Sequence, residues 1–257
     1  MQERTIQAFL DARAQRPRWP GIPADLSPAT LDEAYALQQA LHLRLGAQGI
    51  PRLGYKVGST SPAGQHLFGL DEPVYAGIFA DGRAPSLAAA LAQGLAQPSL
   101  ECEIALILRT DLDGADPDLT AARIADAVGS CHIACEIIDN RYGDPRAVGV
   151  PGLIVDDFFH AGFVIGARNP GWRDQDLTRV EAVIEIDGVR TTGNAGDVLS
   201  AGASLRWLAR KLASVGARLH AGDIVLTGAI AGPVRIAPPV RAVALRIAGF
   251  APLALPG

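Results

Sequence analysis

The sequence predicts an α+β chain, helical over its first 50 residues and β-rich from there onward. Two observations carry this reading. In the first 50 residues, apolar positions recur every three or four residues. Beyond them, short apolar runs with a period of two alternate with Gly and Pro turns. At 257 residues and 49% hydrophobic content, the chain can bury a large core. Residues 1–50 read as a helical segment of the same domain as residues 51–257.

The elements follow in order. Ile6, Phe9, Leu10 and Ala14 share one side of a helix over residues 1–16, and Pro17, Pro20, Pro23 and Pro28 then mark an irregular connection. Thr30 and Glu33 form a capping box for a second helix striped by Ala34, Leu37, Leu41 and Leu45, which Gly46 or Gly49 ends. Candidate strands are residues 54–58, 100–108, 133–138, 163–165, 181–186, 224–227 and 243–247. Asp187-Gly188 is a two-residue hairpin signal. One helix interrupts the strands, with Leu205, Leu208, Leu212 and Val215 on its buried side and Gly216 beyond its end. Residues 84–96 read as a loop or a short helix, and no internal repeat is evident.

Composition excludes several classes. Net charge is −4 and no basic stripe appears, which argues against nucleic acid as a partner. No apolar run reaches membrane-spanning length, and Met1–Thr5 leads into an amphipathic stretch without the apolar core of a leader, so a soluble, cytoplasmic protein is expected. Cys102, Cys131 and Cys135 are odd in number and contain no C-x-x-C. Buried thiols are expected, although Cys131, His132 and Cys135 imitate a zinc corner.

The chemistry begins at Ser99–Leu108. Leu100, Cys102, Ile104, Leu106 and Leu108 alternate on one strand face, leaving Glu101, Glu103, Ala105 and Ile107 on the other. Both carboxylates then point the same way, with Cα atoms roughly 6.5 Å apart. Like charges on an apolar strand repel and resist desolvation, so something positive should lie between them. The alternative is an edge strand that lets both side chains reach water. Glu136 is a third acid in an apolar strand context. Three oxygen ligands with open positions suit a hard cation, Mg²⁺ or Mn²⁺.

Lys56, one of only two lysines, lies between Gly54 and Gly58. It suits pairing with a substrate carboxylate, or proton transfer if its pKa is lowered. The alternative is a surface lysine at a strand end. Thr227-Gly228 ends a strand with a hydroxyl and an unshielded N–H that could hold a substrate carboxylate, or simply makes a turn.

From roughly residue 30 to residue 247 the chain resembles the 2-keto-4-pentenoate hydratase and 4-oxalocrotonate decarboxylase family of the fumarylacetoacetate hydrolase superfamily. The resemblance rests on Gly54-Tyr55-Lys56-Val57-Gly58 with Thr60-Ser61, Asp71-Glu72-Pro73, Glu101-Cys102-Glu103-Ile104-Ala105, Glu136–Arg141, Phe163–Gly166 and Gly222–Gly228, in that order. It implies a fumarylacetoacetase-like β-rich roll with N-terminal helices packed on it. It also implies Mg²⁺ or Mn²⁺ on Glu101, Glu103 and Glu136, Lys56 in the active site, a small 2-oxo acid substrate from aromatic-compound degradation, and a homo-oligomer of a kind that can associate with a pathway partner.

Two departures stand out. Hydratases of this group typically carry an aspartate where this chain has Val74, and Val74-Tyr75 looks closer to the decarboxylase version; Glu72 is out of register to replace the acid. Relatives often read Ala-Asp-Asn-Ala-Ser-Ser where this chain has Val155-Asp156-Asp157-Phe158-Phe159-His160. Phe158 and Phe159 could simply pack in the core, or Asp156, Asp157 or His160 supplies the proton-transfer group that Val74 cannot. A hydratase-like lyase is therefore expected, with Asp156 as a catalytic candidate beside Lys56. The alternatives are a decarboxylase, a C–C hydrolase or tautomerase using His160 or His132 as base, and a non-catalytic partner subunit.

Overall fold

The computed structural model describes residues 2–15, 19, 21–237 and 240–255. Pro17 and Pro20 of the expected irregular connection, and the last residue of the first expected helix, lie outside them. In chain order the elements are α1 Gln2–Ala14, α2 Leu31–Ala47, β1 Arg52–Gly58, α3 Pro62–Phe68, β2 Val74–Phe79, α4 Leu87–Leu91, β3 Pro98–Leu108, α5 Ala121–Ala127 and β4 Val128–Asp139. They continue with α6 Pro145–Val155, β5 His160–Arg168, β6 Glu181–Ile186, β7 Val189–Asn194, α7 Ala201–Ser214, β8 Ile224–Arg235, β9 Val243–Ile247 and β10 Leu253–Leu255.

The strands form two sheets, one ordered β2-β1-β8-β3-β4-β5 and the other β10-β9-β6-β7. All pairings are antiparallel except β1 with β8. The edge-strand reading of Glu101 and Glu103 is thereby corrected, because β3 lies between β8 and β4 in the interior of the larger sheet. Its two faces do different jobs. Leu100, Cys102, Ile104, Leu106 and Leu108 join the main core with Cys131, Ile133, Cys135 and Ile137 of β4. On the opposite face, Ala105, Ala134, Phe163 and Leu226 form a smaller apolar cluster. Glu101 and Glu103 occupy that second face, next along the alternation from Ala105.

At the hairpin, Ile186 pairs with Val189, and Asp187 and Gly188 both have positive φ (48° and 86°), as a type I′ turn requires. Ser61, Thr120 and Ser200 cap α3, α5 and α7 by accepting N–H groups. The helix count departs from expectation: α3, α5 and α6 also separate strands, and α4 falls within residues 84–96. Val215 is not on the buried side of α7 but caps its end, 37% exposed, before Gly216 at φ 74°. Ile6 and Phe9 of α1 and Leu37 and Leu41 of α2 share a continuous core with Tyr55 and Tyr75, so the N-terminal helices pack on the larger sheet.

Candidate active site

Pairing of β3 with β4 sets Glu101 directly opposite Glu136. One carboxylate oxygen from each of Glu101, Glu103 and Glu136 lies within 4.8 Å of the others, the one such cluster among the described residues. Directly opposed like charges destabilise a sheet, and Glu103 and Glu136 are each only 1% exposed. Glu103 has one oxygen committed: Oε2 accepts the N–H of Gly228 at 2.8 Å. Glu136 Oε1 lies 2.9 Å from His160 Nδ1 and 3.2 Å from Lys56 Nζ.

The electrostatics follow from burial. Burial, and then the charge of Glu136, push Glu101 up to about 7. Burial, Glu136 and Glu101 push Glu103 well above the carboxylate range, against the Gly228 hydrogen bond. Glu136 moves the other way: burial opposes its charge, but Lys56, followed by the His160 hydrogen bond, holds it low. Three ionised acids facing one lysine would leave an excess of negative charge, which the raised Glu101 and Glu103 relieve by holding protons, and every donor atom is a hard oxygen. Both properties fit a divalent cation.

Lys56 is buried on β1 and donates to the carbonyl of Phe158 at 2.9 Å, with its Nζ 5.3 Å from the centre of the Phe158 ring. Burial alone would lower its pKa, but Glu136, Glu101 and Glu103 more than offset this and raise it. The group is an ammonium, which corrects the condition of a lowered pKa attached to its role in proton transfer.

Phe158 belongs to an unusual segment. Asp157, Phe158 and Phe159 have φ of 57°, 47° and 67°, three consecutive left-handed residues of which none is glycine. Each such residue costs about 1–2 kcal/mol. Buried polar contacts hold the turn: the Asp157 carboxylate pairs with Arg13 of α1, lies 2.8 Å from His42 Nε2 of α2 and accepts the N–H of Gly77 at 2.8 Å.

Several expected site residues do not reach the cavity. Asp156, the catalytic candidate, is fully committed to Arg13, Arg141 and the Tyr142 hydroxyl and faces away from it. Thr227 donates its hydroxyl to the carbonyl of Ile104 at 2.9 Å, because its side chain faces the main core. Gly228 does hold a carboxylate through its N–H, but that of Glu103 rather than a substrate's. Glu72 pairs with Lys211 and Trp207 on α7. His132 has both ring nitrogens engaged, by the Gly166 carbonyl and the Ser130 hydroxyl. Cys102, Cys131 and Cys135 are buried free thiols.

A cavity of about 340 Å³ opens over the cluster. Lys56, Glu101 and Glu103 line it with Ser59, Thr60, Ser61 and Asn140, and Leu67, Phe68, Ile138, Phe158, Phe159 and Pro233 make an apolar wall. Lys56 is the sole basic side chain lining it among the described residues. Val74 is buried on β2 opposite Gly58, and a side chain at Gly58 would meet both Val74 and Phe158. Val74, Gly58 and Phe158 thus make an apolar corner beside Lys56, and Val74 brings no acid to it. Asn140, which lies in the Glu136–Arg141 stretch without an expected role, also lines the cavity. Its Oδ1 is buried without a partner, a signal that only three-dimensional placement reveals.

No family model matches the chain. Among curated proteins, it is 36% identical over 211 residues to a 2-keto-4-pentenoate hydratase of Burkholderia vietnamiensis, covering 78% of this chain and 76% of that protein. It is 32% identical over 236 residues to the 2-oxo-hept-4-ene-1,7-dioate hydratase of Escherichia coli, covering 89% and 87%. The 4-oxalocrotonate decarboxylase of Pseudomonas putida G7, solved with magnesium and adipate, superposes on all of this chain and 98% of its own with a TM-score of 0.86 at 23% identity. A fumarylacetoacetate hydrolase family structure from Yersinia pestis gives a TM-score of 0.59 at 20% identity over 79% of this chain and 91% of that one. The chain shares its fold with these two structures. By its curated relatives, the chain belongs to the 2-keto-4-pentenoate hydratase family of lyases.

Proposed function

We propose that the protein is a divalent-metal lyase that hydrates a small 2-oxo or 2-hydroxydienoate acid in the breakdown of aromatic compounds. The observation that carries this reading is the convergence of Glu101, Glu103 and Glu136 within 4.8 Å beneath a cavity that Lys56 also lines. Glu101, Glu103 and Glu136 would hold Mg²⁺ or Mn²⁺. Such a cation supplies a Lewis acid that polarises the keto oxygen of a 2-oxo acid and steadies the charge of its enolate.

The chain's own residues do the rest. The Lys56 ammonium, aimed by the Phe158 carbonyl, binds the substrate carboxylate or hands a proton to the enolate carbon. The walls formed by Phe68, Phe158, Phe159 and Ile138 exclude bulk water and hold the substrate's tail. That wall offers no second cation, which favours an uncharged tail over a second carboxylate. Hydration moves the enol proton of the dienoate to C5, leaving a 2-oxo-3-ene, and then adds the hydroxyl of one water at C4 and its proton at C3.

One observation favours a second reading. Val74 supplies no acid, and decarboxylation needs only a stabilised enolate and one proton donor. The test is product analysis on vinylpyruvate, oxalocrotonate and acylpyruvate. Hydrated vinylpyruvate supports the first reading and CO₂ release from oxalocrotonate the second. Turnover of acylpyruvates alone rejects both.

A further inference from the structure

We infer that His160 is the positioning residue for Glu136, fixing which carboxylate oxygen is left to face Glu101 and Glu103. The inference rests on the proposed metal centre. His160 opens β5, and its side chain is only 6% exposed. Its Nδ1 lies 2.9 Å from Glu136 Oε1, and an ionised carboxylate only accepts, so Nδ1 carries the hydrogen. The other ring nitrogen, Nε2, is buried with no partner among the described residues. A histidine present only to fill space would gain nothing from a buried, unpaired nitrogen, and the two residues before it, Phe158 and Phe159, show that this stretch accepts plain aromatic rings. The ring's one polar engagement is therefore with Glu136.

The second contact on Glu136 Oε1 explains why that engagement matters. Lys56 reaches the same oxygen at 3.2 Å and donates more closely to Phe158, at 2.9 Å. Lys56 is shared between Glu136, the Phe158 carbonyl and, in the proposed reaction, a substrate carboxylate, whereas His160 has Glu136 alone. His160 then keeps Oε1 anchored, so the carboxylate does not rotate out of the cluster. Partners of this kind, standing behind a ligating group, typically change metal affinity 10–100-fold.

The test is Mn²⁺ titration of purified protein by electron paramagnetic resonance, with thermal melting as the folding control. His160→Phe keeps a ring and removes the donor. His160→Asn keeps an N–H donor near the position of Nδ1 and removes the ring. The expected result is Mn²⁺ affinity weakened about 10–100-fold in H160F and close to wild type in H160N. If H160F does not fold, H160A takes its place with the same expectation. Unchanged affinity in a folded H160F, or a loss in H160N as large as in H160F, overturns the inference. A wild-type protein that fails to bind Mn²⁺ overturns the metal reading itself, a distinct outcome.

Discussion

The backbone N–H of Gly228 donates to Glu103 Oε2 at 2.8 Å, from a residue whose φ of +108° no side chain adopts comfortably. The strand β8 therefore serves β3 as a carboxylate clamp. A Cβ at Gly228 would lie 2.5 Å from the Thr60 side chain. Gly228→Ala is expected to cost ~1–3 kcal/mol from backbone strain alone. It should also weaken Mg²⁺ binding by displacing Glu103. Calorimetric melting with and without Mg²⁺ checks both effects, and an unchanged melting profile contradicts the clamp.

Glu103→Gln separates stability from function. The amide oxygen can still accept from Gly228, while the NH₂ turned to the cluster cannot ligate a cation. Glu103 is pushed well above the carboxylate range in the metal-free fold, so the amide replaces a largely neutral group and the metal-free variant should melt close to wild type. It should nevertheless lose the Mg²⁺-induced rise in Tm and Mg²⁺-dependent turnover. A variant that keeps both would remove Glu103 from the ligand set.

The raised carboxylates predict a pH dependence with a definite sign. Glu101 titrates at about 7 in the metal-free fold, against ~4.3 in an unfolded chain. Between those values the native state binds more protons than the unfolded one, so metal-free stability falls as pH rises through this window. Lys56, whose pKa is raised, loses its contribution only well above neutrality, and Asp157, held low by His42 and Arg13 against burial, loses its contribution only below about pH 4. Neither masks the window. Melting in EDTA between pH 5 and pH 8 measures the slope, and the Mg²⁺-induced shift should grow over the same range. A flat profile contradicts the buried cluster.

Arg13 links the N-terminal helix to the chemistry. It pairs with both Asp156 and Asp157, which flank and begin the left-handed turn that carries the Phe158 carbonyl to Lys56. Arg13→Leu leaves two buried carboxylates short of a partner and should cost about 3–5 kcal/mol. A milder loss should follow for Arg13→Lys, together with a fall in kcat as Lys56 loses its fixed acceptor. Denaturant melts and steady-state kinetics test this, and unchanged kcat in R13K would detach the turn from catalysis.

The legible parts of this molecule are those in which one local period dominates. Glu181–Ile186 and Val243–Ile247 match their expected spans, and the alternation around Glu101 and Glu103 placed both acids on one face. The stretch Val74–Phe79 was missed because it lacks alternation; it is buried on both faces. Helix α6 was hidden by Gly149 and Pro151, which interrupt its pattern. The misplaced site residues share another cause. Whether Asp156 faces substrate or Arg13 depends on a contact 143 residues away, and whether Thr227 faces the cavity or the core depends on how β8 sits against β3. Neither is written in a window of neighbouring residues.

The most direct test of the metal centre is a crystal grown with Mn²⁺ and oxalate, a mimic of the chelating end of a 2-oxo acid, with the ion located by its anomalous signal. One peak is expected, ligated by Glu101, Glu103 and Glu136, with oxalate in the cavity beside Lys56. A peak that leaves any of these glutamates out, or no peak at saturating Mn²⁺, contradicts it.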